Sequence, residues 1–200
     1  MAIKPILFNT EMVRAILDGR KSCTRRLVKP EPQGYFEVSE EPLYIYDTDG
    51  NQGKITPPYQ PGDILYVRES YSELSFGYVY KADGENIDHL GNVIKWHPSI
   101  HMPKEAARIW LKVTNVRVER LQEITDEQAK REGIQYYECP TGFTWKQETD
   151  MHNCYTTPIG AMQALWNSTI KKSDLDRYGW DANPWVWVIE FERCEKPEGV

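Results

Sequence analysis

"RIWLKVTNVRVERL", residues 108–121, alternates apolar and polar side chains over most of its length. Ile109, Leu111 and Val113 fall on one side. Val116 and Val118 resume the alternation after a bend at Asn115. A period of two predicts one bent strand or two consecutive strands with a buried face. Downstream, in "WVWVIEFE", residues 185–192, Trp185, Trp187, Ile189 and Phe191 alternate with Val186, Val188, Glu190 and Glu192. Upstream, Pro61-Gly62 turns into "DILYVRE", residues 63–69, where Ile64, Tyr66 and Arg68 alternate with Leu65, Val67 and Glu69.

Three helices are expected around these strands. Over residues 10–18, Met12, Val13, Ile16 and Leu17 share one face, Asn9 or Thr10 can cap the start, and Gly19 can take the left-handed position after the end. In "TDEQAKREG", residues 125–133, Thr125 and Gln128 have capping-box spacing and Gly133 stops the helix. Thr157-Pro158 opens a third, with Ile159, Met162, Leu165, Trp166 and Ile170 on its apolar side. Strands and helices do not alternate in a βαβ rhythm. The expected class is therefore α+β: a small, mostly antiparallel β-barrel flanked by short helices. One domain is expected to span 1–200, with long loop insertions near 30–58, 71–103 and 135–156. The first holds a strand-like "LYIY", residues 43–46.

With 24 basic and 30 acidic residues the net charge is -6, so the molecule as a whole does not attract phosphate backbones. Residues 14–29 depart from that balance, with six basic residues and one acid, Asp18. Within "LDGRKSCTRR", residues 17–26, Ser22, Cys23 and Thr24 sit among the cations. The stretch reads as a solvated turn at a helix end, a grip for nucleic acid or part of a reactive site. A lysine crowded by cations and partly desolvated has its ammonium form disfavoured, and the neutral amine can then take a proton from a hydroxyl. Extended chain would put Ser22, Thr24 and Arg26 on one side and Cys23 and Arg25 on the other.

Other segments narrow the classes of function. Cys23, Cys139, Cys154 and Cys194 form no CxxC pair and suit reduced thiols. Cys139, His152 and Cys154 match no common zinc spacing, so neither metal nor cofactor is expected. His97 and His101 read as loop histidines beside Trp96. No apolar run approaches the roughly 18 residues of a membrane span, and "MAIKPILFNT" lacks a signal-peptide plan, so a cytoplasmic protein without membrane contact is expected. Tyr178 and Trp180 are candidates for a pocket wall, whereas Trp185 and Trp187 belong to the core. Glu69 ends its strand near the same pocket and could pair with Arg26.

The helix followed by Gly19-Arg20-Lys21-Ser22-Cys23-Thr24-Arg25-Arg26, then "PGDILYV" and "VWVIEFE", resembles the ASCH family, which has a PUA-like barrel. The family pattern Gly-x-Lys-x-x-(Glu or Thr)-x-Arg is matched by Gly19, Lys21, Thr24 and Arg26. The threonine form is similar to the bacterial subgroup that hydrolyses cytidines acylated on the exocyclic amine. That resemblance implies a catalytic set of Lys21, Thr24 and Glu132, with Glu132 in the short helix before Gly133 and Arg26 on substrate oxygens. The longer chain is similar to members carried by tailed phages and prophages. The alternative within the family is a non-catalytic module that binds RNA through Arg20, Arg25 and Lys29, or a phage accessory protein.

Overall fold

The computed structural model describes residues 1–32, 36–40, 43–47, 53–84, 86–138, 141–145 and 154–199. In chain order its strands and α-helices are β1 (Ile3–Leu7), α1 (Thr10–Leu17), β2 (Cys23–Leu27), β3 (Phe36–Glu40), β4 (Leu43–Asp47), β5 (Lys54–Ile55), β6 (Ile64–Arg68), β7 (Tyr71–Leu74), β8 (Gly77–Tyr80), β9 (Trp110–Arg120), α2 (Asp126–Arg131), β10 (Gln135–Tyr136), β11 (Phe143–Thr144), α3 (Pro158–Thr169), α4 (Leu175–Tyr178) and β12 (Trp185–Cys194). The α+β class holds, and most strand pairs are antiparallel.

The main sheet has five strands in the order β1-β6-β9-β12-β2. Residues 108–121 supply its centre: β9 is one bent strand, paired with β6 on one side and β12 on the other. The bend is a bulge, since Glu190 faces Asn115 but the next residue, Phe191, faces Val113, leaving Thr114 over. Ile109, Leu111 and Val113 are buried on the expected face, and Val116 is buried beyond the bulge. Trp187 is buried as expected, while Trp185 is half-buried with the Arg120 guanidinium 4.3 Å from its ring centre.

The expected barrel does not close. Among the described residues β1 pairs only with β6 and β2 only with β12, so the sheet keeps two free edges. Residues 3–7, which carry no alternating signature, form β1 in parallel register with β6. Pro5 within it is tolerated because an edge strand does not need every N–H. Residues 36–55 hold a three-strand meander, β3-β4-β5, where the sequence suggests a single strand. Its Ile45 and Ile55 join the main hydrophobic core. A β7-β8 hairpin and a β10-β11 pair complete the sheets.

Capping follows the sequence closely. The Asn9 side chain accepts from the Met12 N–H at the start of α1, Thr125 and Gln128 form the complete capping box of α2, and Thr157 caps α3. The chain leaving α1 is then clamped. The N–H groups of Arg20 and Lys21 both donate to the Ala15 carbonyl at 2.9 Å, and the Ser22 N–H donates to the Arg131 carbonyl at 2.9 Å. This ties the basic stretch to the end of α2. Gly133 sits in the seam with φ +105°, and an added Cβ would lie 3.0 Å from Ala15 Cβ and 3.6 Å from Lys21 Cβ.

Gly133→Ala therefore combines backbone strain with a close approach between α1 and the Lys21 segment. We expect a stability loss of about 1–2 kcal/mol. A urea titration monitored by tryptophan fluorescence checks it, and an unchanged midpoint would refute the clamp.

Candidate functional site

A cavity of about 530 Å³ lies beside the free edges of the main sheet. Its walls come from the end of β1 and start of α1 (Leu7, Phe8, Asn9, Met12), from Lys21 and β2 (Thr24, Arg25, Arg26, Leu27), from Lys29 and Glu132, and from α3 (Met162, Leu165, Trp166, Thr169) with Ile170. Lys21, Thr24, Glu132 and Arg26, more than a hundred positions apart at the extremes, thus line one space.

Lys21 and Glu132 are both buried. The Lys21 Nζ donates to Glu132 Oε2 at 2.7 Å, to the Glu132 carbonyl at 2.9 Å and to the Cys23 carbonyl at 2.7 Å. These three acceptors match in number the three N–H donors of an ammonium group. The other Glu132 oxygen, Oε1, accepts from Arg25 Nη1 at 3.1 Å. One carboxylate therefore bridges two buried cations.

Arg25 is the main departure from the expected arrangement. Expected on the side of the extended chain away from Thr24, and in the alternative reading as an RNA contact, its side chain has no exposed surface. Beyond Glu132 it donates to Glu119 Oε2 at 3.3 Å and to Gln128 Oε1 at 3.1 Å. Gln128 Oε1 also accepts from the Thr125 N–H, so the α2 capping residue doubles as an anchor for Arg25. The reason is balance of charge: Glu132 beside Lys21 attracts a second cation, and Glu119 on β9 completes the compensation. The Arg25 Nε is buried with no hydrogen-bond partner among the described residues. From Glu119 the network continues outward to Arg117, Glu190 and Arg131. Burial acts upward on Glu190, but the bond from Arg117 and the charge of Arg131 hold its carboxyl below its ordinary range.

Arg26 projects to the cavity side, as alternation along β2 requires. Its Nη1 donates to Thr24 Oγ1 at 3.0 Å and to the Arg25 carbonyl at 3.1 Å, and its Nη2 donates to the Leu7 carbonyl at 3.2 Å. It spans the gap between the two edge strands. Burial lowers its pKa from the ordinary value, with Glu132 and Tyr59 acting the other way. No carboxylate of the described residues forms an ion pair with it, in contrast to Lys21 and Arg25. The Phe8 ring lies beneath both cations, its centre 5.5 Å from Lys21 Nζ and 5.4 Å from the Arg26 guanidinium carbon. Phe8 went unnoticed in sequence because nothing local distinguishes it from a core residue. The α3 wall was readable only as an apolar helix face.

The remaining candidates lie elsewhere. Glu69 is buried and pairs with Arg108 at 2.9 and 3.1 Å rather than with Arg26; burial raises its pKa against the pull of Arg108. Trp180 is a core residue whose exposed remnant borders a separate hollow, and Tyr178 is outside the cavity lining. Arg20 is tied to Asp18 at 2.8 Å and to the Gly133 carbonyl at 2.9 Å, so Arg20, Arg25 and Lys29 do not form one outward basic face. Cys23 is buried, and burial together with nearby Glu132 pushes its thiol up to about 12. Cys23 and Cys194 are free thiols, as expected, whereas Cys154 is disulfide-bonded, contrary to the expectation of reduced thiols. Cys139 and His152 lie outside the described residues. Among the described residues no cluster of His, Cys, Asp and Glu could hold a metal, and no helix is long and apolar enough to cross a membrane.

No protein-family model matches the chain, and no curated protein matches it. Among solved structures the chain is similar to an ASCH domain from Lactobacillus crispatus JV V101, at 12% identity and a TM-score of 0.44, covering 96% of this chain and 79% of that one. It is also similar to the hypothetical protein PH0355, at 14% identity and a TM-score of 0.38, covering 97% of this chain and 100% of that one. At these identities neither assigns a role to any residue.

Proposed function

We propose that the protein is an amidohydrolase of the ASCH type that removes the acyl group from an N4-acylated cytidine such as N4-acetylcytidine. The observation that carries this reading is the joint placement of Lys21, Thr24, Arg26 and Glu132 on one cavity, with Lys21 Nζ 2.7 Å from Glu132 Oε2 and Arg26 Nη1 3.0 Å from Thr24 Oγ1. Apolar Phe8, Met162, Leu165 and Trp166 give the same cavity walls suited to a pyrimidine ring and a small acyl chain.

The reaction begins from the Lys21 ammonium. One proton passes from Nζ to Glu132 Oε2, across the 2.7 Å contact, and leaves a neutral amine. That amine accepts the proton of the Thr24 hydroxyl, or of a water held by it, as the oxygen attacks the acyl carbon. Arg26 already donates to Thr24 Oγ1, so its guanidinium is oriented to stabilise negative charge on the attacking oxygen and on the tetrahedral intermediate. Collapse breaks the C–N bond, and the departing exocyclic amine takes the proton from Lys21. Where Thr24 attacks directly, water then hydrolyses the acyl ester and Glu132 returns its proton to Lys21. Arg25 holds the other oxygen of Glu132 throughout and fixes the carboxylate toward Lys21. An RNA-binding role through Arg20, Arg25 and Lys29 is less well supported, because the Arg25 guanidinium is enclosed by Glu132, Glu119 and Gln128.

Purified protein incubated with N4-acetylcytidine should release cytidine, followed by chromatography. Thr24→Ala should lower kcat/KM by roughly 10²–10⁴-fold. Thr24 is outside the ion network but buried with a bond from Arg26, so its variant should lose only about 1–2 kcal/mol of stability and stay folded. Lys21→Ala and Glu132→Ala should abolish turnover but also lose about 3–5 kcal/mol of stability, because each strands a buried charge; circular dichroism separates the two effects. No release of cytidine by the wild type, or full activity in Thr24→Ala, would refute the assignment.

Cys23 lies between Lys21 and Thr24, but its elevated thiol pKa leaves almost no thiolate at neutral pH. Cys23→Ala should retain turnover, and iodoacetamide at pH 8 should leave Cys23 unmodified by mass spectrometry. A Cys23→Ala variant that folds but has lost turnover would instead point to the thiol as the nucleophile.

A further inference from the structure

We propose that the mouth of the cavity is a phosphate subsite built on Lys29 with Arg177 beside it, so that the preferred ligand is an acylated cytidine carrying a 5′ phosphate. This rests on the reading of the inner cavity given above and adds the part of the substrate that lies outside it.

Lys29 lines the cavity two residues beyond the end of β2 and is exposed. Its Nζ lies 5.2 Å from the centre of the Tyr178 ring, and the Arg177 guanidinium carbon lies 4.9 Å from the same centre. Both cations thus lie within 5.2 Å of the centre of one aromatic ring. Glu31 lies 3.5 Å from the Arg177 Nε, in a pair whose Arg177 side is largely exposed and so screened by water. Lys29 itself forms no ion pair with a carboxylate of the described residues, whereas the inner cations Lys21 and Arg25 each do. A phosphate on Lys29 would offset its charge, with Arg177 as a second cation near the same ring, whereas the net charge of -6 gives the chain as a whole no attraction for anions.

The spacing fits a nucleotide. Thr24 and Lys29 are five residues apart, at most roughly 16 Å along extended chain. Turned toward the cavity, the four-carbon arm of the lysine would shorten that gap toward the length over which a nucleoside separates its base from its 5′ oxygen. With the base end against Phe8 and Thr24, the sugar runs along β2 and the phosphate reaches Lys29.

The phosphate could belong to a mononucleotide or to an RNA chain, and binding to the intact protein tests both. By calorimetry, cytidine 5′-monophosphate should bind roughly 10- to 100-fold tighter than cytidine, the size of one charge-assisted contact. Lys29→Gln should erase that preference and Arg177→Gln should reduce it. A short RNA containing cytidine, bound more tightly than the monophosphate and still dependent on Lys29, would assign the subsite to a phosphodiester; weaker binding would assign it to the monoester. Equal affinities for cytidine and its monophosphate, no measurable binding of either, or a preference that survives Lys29→Gln would overturn the proposal. Turnover of N4-acetylcytidine and of its 5′-monophosphate reports separately on the reaction: a Lys29-dependent phosphate preference without turnover would remove the hydrolase reading and leave the subsite standing.

Discussion

The Glu132 carboxylate is buried between two cations, with one oxygen on Lys21 and the other on Arg25. Three charged groups buried together are stable only if geometry and compensation are both satisfied. Glu119 supplies the second negative charge, and carbonyls of Cys23 and Glu132 take the remaining Lys21 donors. The arrangement binds three separate elements, β2, β9 and the end of α2, to one another. Moving any of them would strand a charge, so the cavity wall inherits the rigidity of the network.

Arg26 has a different situation on the same strand. Its neighbour Arg25 faces the charge network, and Arg26 faces the gap between β1 and β2, where among the described residues it bonds to carbonyls and a hydroxyl and lies against the Phe8 ring. Closure of the sheet through β1-β2 hydrogen bonds would fill that gap. The open edge lies beside a cavity that holds Arg26, which forms no ion pair among the described residues, and whose other walls are largely apolar. The unclosed edge and the cavity occupy the same place in the fold.

The elements themselves were legible because their signals are local. Alternation over residues 108–121 and 185–192 marked β9 and β12, and the break near Asn115 marked the bulge. Capping residues Asn9, Thr125 and Thr157 marked the helix starts. β1 was not legible, since a short edge strand containing Pro5 is held by β6 rather than by its own pattern. The meander of residues 36–55 was obscured by turn-forming residues around short strands. Glu69 and Trp180 were misplaced for a related reason: Arg108 and the packing around Trp180 come from distant parts of the chain.

Sequence alone determined which residues could contribute charge and hydroxyls, which side of β2 Thr24 and Arg26 share, and where each helix begins and stops. These follow from backbone periodicity and from hydrogen bonds made within a few residues. Only the tertiary structure decided that Arg25 turns inward, that Glu132 meets Lys21, and that Phe8 and α3 complete the cavity. Those outcomes depend on compensating buried charge and filling space between elements far apart in the chain, and neither quantity is carried by any single stretch of residues.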